Sequence, residues 1–387
     1  MHIIVLGAGY AGVTATLRLS SSVGTRHRVT LVNANTDFVE RIRLHEAAAG
    51  RPPASMPLSS LLAGTCVELV VGRVTGLDVR AQRIQLPAGE LRWDRLVLAL
   101  GSQVDMDSVP GVSQYASTLE GAGVAALAAE LQRLASRAGR VTIVGGGLTG
   151  IEAAAELAEA LPQLRISLVT RGRAGAELSP RAQRHIGTRL RAAGVELREG
   201  VHVRRVEAGA LVAEDLQLPF DLCLWAAGFA VPRLVAEAGL AVNARGQVLV
   251  DRQLRVRSKP AVYAAGDLAA LDPQFGAELP MGCKSALPTG AHAARSLAAE
   301  LAGDVAKSLQ LRTPLYCLSL GRRDGVIQLR AGDGSLHGPV ITGRIAAAIK
   351  EGICTGTRLA LRLEARRAAR YPEAASEPLL ARSCDDC

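Results

Sequence analysis

The chain has 387 residues, 49% of them hydrophobic, and a net charge of +9. That length predicts two or three domains rather than one, and with only 3% aromatic residues stacking platforms for nucleic acid are too few. No apolar run approaches the roughly 20 residues that span a bilayer. The start has no basic segment and long apolar run before a cleavage site, so a cytoplasmic protein without a signal peptide is expected.

In chain order, the first predicted unit is strand, glycine turn, helix, strand. Ile3–Leu6 is continuously apolar, as a strand buried on both faces should be. Gly7-Ala8-Gly9-Tyr10-Ala11-Gly12 follows, then a helix from Val13 to Ser22 and a strand from Arg28 to Val32 that ends at Asn33. A further strand over Arg95–Leu100 ends at Gly101. The first arrangement then returns: a strand at Arg140–Val144, Gly145-Gly146-Gly147-Leu148-Thr149-Gly150, a helix through Ala160, and a strand at Arg165–Val169 ending at Thr170-Arg171. Strands over Leu222–Ala226 and Ala261–Ala265 end at Ala227-Gly228 and Gly266-Asp267. From Thr313 the character changes. Two antiparallel strands, Pro314–Leu320 and Val326–Leu329, flank a glycine-bounded turn. A helix is expected from Thr342 to about Tyr371, then a polar tail ending in Cys384-Asp385-Asp386-Cys387.

Each glycine loop fits G-x-G-x-x-G between a strand and a helix. The first glycine makes the tight turn, the second lets backbone approach a pyrophosphate, and the third allows close helix–strand packing. The pyrophosphate then meets the free N–H groups and positive end of the helix. One such loop is weak evidence. Two in full strand–loop–helix–strand context imply two dinucleotides and an α/β chain with two Rossmann-like domains. About 20 residues beyond the third glycine a ribose contact is expected. Asn33 holds that place in the first unit. Thr170-Arg171 holds it in the second, with Arg173 close by, and an arginine there pairs with a 2′-phosphate, favouring NADPH over NADH.

All but four of the basic residues are arginine, the lysines being Lys259, Lys284, Lys307 and Lys350. The positive charge reads first as solvated faces, and second as a field that draws phosphate-bearing cofactors or anionic lipid. Seven cysteines at scattered positions do not read as a disulfide framework, and no metal site is expected.

The motifs VLGAGYAG (5–12), LVLALGS (96–102), IVGGGLTGIEAAAEL (143–157), LWAAGF (224–229) and VYAAGDLA (262–269) appear in an order and spacing that resembles the FAD-dependent pyridine nucleotide oxidoreductases. Within these, the chain is most similar to the type II NADH dehydrogenase and apoptosis-inducing-factor-like branch. The resemblance covers roughly residues 1–300. It implies that Gly7, Gly9, Tyr10, Ala11, Gly12, Asn33, Arg43, Val74, Gly101, Gly266 and Asp267 hold FAD. Pro288-Thr289-Gly290 would open a helix whose positive end faces the flavin, making Thr289 and Gly290 part of that site. Gly145, Gly147, Leu148, Thr149, Gly150, Glu152, Arg171 and Gly228 would hold NAD(P)H, Glu152 reaching the nicotinamide carboxamide. The flavin would do the chemistry, so no catalytic triad is required. Among the histidines, His292 is the candidate to watch because it follows the flavin-facing turn; the others read as surface or core.

The implied division is an FAD domain over 1–110 and 246–303, a nicotinamide domain over 111–245 between them, and a C-terminal α+β region over 304–387 that covers the flavin edge or forms a homodimer interface. The electron acceptor stays open. A small quinone-like acceptor is favoured, with peripheral contact at the inner membrane face through the basic helix Arg358–Arg370. Against this, Leu359, Leu361 and Leu363 lie two apart, and the glutamine pattern of type II dehydrogenases is absent at Gly282-Cys283-Lys284-Ser285-Ala286-Leu287-Pro288. The alternatives are dithiol–disulfide exchange through Cys384 and Cys387, with Cys283 as relay, and a non-enzymatic redox sensor.

Overall fold

The computed structural model describes residues 1–369, except 122, 215, 276–278, 312–314, 331–334 and 337. The Cys384/Cys387 tail and the end of the basic segment therefore lie outside the described residues.

Two five-stranded parallel sheets carry the two glycine loops. The first runs in the order Val262–Ala264, Arg95–Leu98, His2–Leu6, Arg28–Asn33, Val67–Val71. Its central strand is sealed, with Ile3 to Leu6 fully buried, because helices cover both faces of a parallel sheet. The second runs Glu196–Glu199, Arg165–Thr170, Arg140–Val144, Leu222–Trp225, Ala116–Ser117. The helices Tyr10–Val23 and Leu148–Ala160 follow the respective loops.

The antiparallel pair expected near the end is present as Leu315–Ser319 and Gly325–Leu329. A third strand, Val340–Thr342, completes that sheet; three residues were too short a signal beside the helix that follows. That C-terminal helix, Gly343–Ala368, lies across the helix Tyr10–Val23, with Leu361 fully buried and Arg18 paired to Glu364 at 2.7 Å. The alternating leucines resolve in register: Leu361 points inward, while Leu359 and Leu363, one turn apart, stay exposed. No helix among the described residues is long and apolar enough to cross a membrane.

One expectation is corrected. The helix expected to open at Pro288 begins at Cys283 and runs to Ala302, placing Pro288 inside it. The proline removes one interior N–H donor, but the turn before it is secured by Ser285 and Ala286 N–H groups donating to the Gly282 carbonyl. Further along, Gly290 lets this helix cross Tyr10–Val23 in backbone contact. A Cβ there would sit 2.2 Å from the Ala11 carbonyl oxygen.

Candidate functional site

The two glycine loops share one steric logic. Gly7 and Gly145 adopt φ of +97° and +130°, and a Cβ on either would strike the neighbouring strand's backbone, 2.4 Å from Ala99 O and 2.7 Å from Ala226 O. Gly12 and Gly150 are more constrained, since a Cβ would lie 1.7 Å and 2.0 Å from the carbonyl oxygens of Gly7 and Gly145. Gly9 and Gly147 differ: a Cβ on either meets nothing within 4 Å. So the protein's own packing requires the outer glycines of each loop, while the middle one faces open space at a helix N-terminus. That is the cradle a pyrophosphate fills, and the residues present fit a dinucleotide in both units.

Around the first cradle, the Asn33 side chain accepts from Ala8 N at 2.9 Å and donates to Asn35 O at 2.8 Å. Its amide thus braces the loop at the strand end where a ribose contact is expected. Val74 is half-buried against the same core. Asp267 accepts from Ser102 Oγ and from Gly282 N, both at 2.7 Å, and Gly266 N donates to Thr289 Oγ1 at 3.0 Å. These bonds draw Gly101-Ser102, Gly266-Asp267 and the start of the helix Cys283–Ala302 together, so Cys283 follows directly on the Asp267 contact. Arg43 is committed elsewhere: its guanidinium donates to Glu46 at 3.0 Å and to Glu351 at 2.5 Å. It ties the segment after the second strand to the C-terminal helix.

The two units and the C-terminal region meet at Glu152. This carboxylate is buried, 3.0 Å from Lys350 Nζ on the C-terminal helix, and accepts from Ser319 N at 3.0 Å and Ser319 Oγ at 3.2 Å. Burial alone would push the Glu152 carboxyl up, but the Lys350 ammonium and the nearby His45 outweigh it and hold it below its ordinary value. Burial likewise opposes the Lys350 charge, and the Glu152 carboxylate more than offsets it, keeping Lys350 protonated. Three thiols surround this pair. Burial raises Cys283, Cys317 and Cys354, the last to about 12, with Lys350 pulling each in the opposite direction. Lys284 stacks on Tyr316 with Nζ 3.7 Å from the ring centroid, which fixes the strand Leu315–Ser319 against the residue beside Cys283. Lys350, Ser319 and Cys317 were not among the candidate site residues of the sequence. The available signal was the rarity of lysine: two of only four lysines in an arginine-rich chain lie here.

The remaining candidates divide. Arg171 is exposed beyond the end of its strand, as is Arg173, both on the side of the Gly147 cradle. Gly228, at φ +76°, closes the contact between the units, its carbonyl accepting from Asp105 N at 3.3 Å. His292 is buried with Nε2 3.1 Å from the Arg252 carbonyl, so its ring is bonded to backbone and does not join the group around Glu152. Among the described residues no cluster of metal-ligating side chains occurs.

Two open cradles beside one junction match a known plan: residues 1–296 match the pyridine nucleotide-disulphide oxidoreductase family. The chain belongs to that family. It is an FAD-dependent enzyme that works with a nicotinamide dinucleotide. A NADH dehydrogenase-like protein of Mycobacterium tuberculosis is 31% identical over 352 residues, covering 84% of this chain and 87% of that protein. A type II NADH:quinone oxidoreductase of Staphylococcus haemolyticus is 28% identical over 389 residues, covering 91% and 94%. In fold, NDH2 from Plasmodium falciparum superposes with a TM-score of 0.80 at 14% identity, covering 96% and 99% of the two chains. The sulfide:quinone oxidoreductase of Aquifex aeolicus superposes with 0.79 at 18% identity, covering 94% and 92%.

Proposed function

We propose that this oxidoreductase passes two electrons from NAD(P)H to a quinone-like acceptor: NAD(P)H, a proton and the quinone give NAD(P)⁺ and the hydroquinone. The observation that carries the reading is the pair of open cradles, one at Gly9 and one at Gly147, each closed behind by glycines that its own sheet requires. FAD held there would supply the redox chemistry that links the nicotinamide to the acceptor. The chain's own residues do the rest. Gly9 to Gly12 hold the FAD pyrophosphate, Asp267 and Ser102 fix the segment beside the flavin chain, and Gly147 to Gly150 hold the nicotinamide dinucleotide. Lys350 places a buried positive charge between the units, and Glu152 keeps it compensated. Arg171, exposed at the strand end, supplies a guanidinium that suits the 2′-phosphate of NADPH.

The test is the first half-reaction. NADPH added anaerobically to the yellow protein should bleach the flavin absorbance, and a soluble quinone should restore it. Flavin that stays oxidised with both NADPH and NADH would refute the reading. A second reading, dithiol–disulfide exchange, draws support from the gathering of Cys283, Cys317 and Cys354 around Lys350. Their upward-shifted thiols oppose it, since the thiolate is the reactive form. Turnover unchanged when Cys283, Cys317, Cys384 and Cys387 are all replaced by Ser would remove it.

A further inference from the structure

A cavity of about 370 Å³ adjoins the Glu152–Lys350 junction on the side of the C-terminal region. Its inner wall includes Ser319, Lys350 and Cys354, all well shielded. Ser319 and Lys350 are also the residues that hold Glu152, so the cavity abuts that buried pair. Its rim is formed by Arg322, Arg323 and Arg344, all exposed.

These charges are not equivalent. Lys350 is compensated by Glu152 at 3.0 Å. Arg322 is compensated by Glu46 at 3.1 Å and Glu351 at 3.2 Å, the two carboxylates that also line the cavity. Arg323 and Arg344 have no ion-pair or hydrogen-bond partner among the described residues, so the rim carries two uncompensated guanidiniums. With Glu46 and Glu351 engaged by Arg322, the surplus at the rim is positive and draws anions, and a guanidinium fork matches carboxylate, sulfonate and phosphate oxygens two at a time. A neutral ring on a long apolar tail would have to pass this rim without satisfying either cation.

We infer that the acceptor enters through this cavity and carries an anionic group that Arg323 and Arg344 receive, making it a small water-soluble anion rather than a lipid-tailed neutral quinone. This inference rests on the quinone-like acceptor proposed above and specifies its chemistry. The flow of atoms is unchanged: the quinone takes up two electrons and two protons, and the anionic group stays on the product.

The test uses the FAD-loaded enzyme and two acceptors with one ring system, a naphthoquinone sulfonate and the neutral naphthoquinone. The sulfonate should have the higher kcat/KM by about tenfold at low salt, with the advantage shrinking toward parity at roughly 0.5 M salt, where screening is nearly complete. Arg323→Gln with Arg344→Gln should abolish the preference while leaving the rate of flavin bleaching by NAD(P)H unchanged. Both positions are exposed, so the variant should fold. Equal rates for the two acceptors, a preference retained in the double variant, or faster turnover with a lipid-tailed quinone in vesicles would each overturn the inference. Calorimetric titration of the sulfonate into oxidised enzyme separates the two proposals. Sulfonate binding that is lost in the double variant supports the anion site even if NAD(P)H fails to bleach the flavin, whereas no binding refutes the site even if bleaching proceeds.

Discussion

The two glycine loops are built alike and packed differently. In the first, the helix beyond the cradle is covered: Tyr10 and Ala11 are buried, the helix Cys283–Ala302 presses on Ala11 through Gly290, and the C-terminal helix lies over it at Leu361. In the second, Leu148 and Thr149 remain half-exposed and the strand end offers Arg171 to solvent. One supersecondary unit thus serves two purposes. Covered, it suits a resident group that does not leave between turnovers; open, it suits a cosubstrate that must enter and leave in each one. The difference arises not in the loop but in what the later chain lays over it.

Substitutions can break or sharpen this contrast. The largest effect is expected where packing requires glycine. Gly12→Ala places a Cβ against the Gly7 carbonyl and should cost more than about 5 kcal/mol, enough that no folded protein is recovered. Gly9→Ala should instead leave the apoprotein's urea midpoint unchanged. If the two variants are equally unstable, the distinction between packing glycines and cradle glycines is wrong. Next, Lys350→Ala strands a buried Glu152 carboxylate and should lower unfolding free energy by about 3–5 kcal/mol.

The pH dependence follows from the signs of the two shifts. Glu152 titrates below its ordinary 4.5 in the folded protein, so its contribution is present above 4.5 and lost as pH falls through the depressed value. Lys350 titrates above its ordinary 10.5, so its contribution is full below 10.5 and lost as pH rises through the raised value. In Lys350→Ala burial acts on Glu152 without its lysine and raises its titration, so the stability gap between the native protein and the variant should begin to close as pH falls through that raised value and finish closing at the depressed native one. A gap that does not close on acidification would contradict the assigned charges.

Smaller effects compare the cradles themselves. Gly9→Ala should weaken FAD retention by about 1–3 kcal/mol, the usual cost of intruding on a filled space. Gly147→Ala should spare the flavin spectrum and raise KM for the nicotinamide by a similar factor. Loss of flavin from Gly147→Ala would show that the units are not separable. Smallest, Arg171→Ala should reduce the NADPH-over-NADH ratio of kcat/KM by about tenfold, and an unchanged ratio would assign Arg171 to the solvent alone.

The sheet-and-loop frame was legible because it is local. An apolar run such as Ile3–Leu6 followed by Gly7-Ala8-Gly9 encodes strand, turn and helix within a few residues. What was not legible arises from contacts across the chain. The helix start at Cys283 was displaced to Pro288 because proline is a strong local signal for a first turn, whereas the true start is set by Gly282 donating to the distant Asp267. Arg43, which the resemblance places among the FAD residues, pairs with Glu351, more than 300 residues away in sequence. The Glu152–Lys350 pair joins residues separated by just over half the chain, so no periodicity could announce it.

The order of strands in the first sheet also governs how the molecule can be made. Its last strand, Val262–Ala264, lies against Arg95–Leu98, and the helix that seals its cradle ends only at Ala302. The second sheet is complete once Trp225 has been synthesised. Although domains generally fold N-terminal first during synthesis, the earlier-made unit here must wait on the ribosome with an open edge while the later-made one closes. The unit around the second sheet is then the first compact body to emerge, and the first cradle can be closed only after about three-quarters of the chain is available.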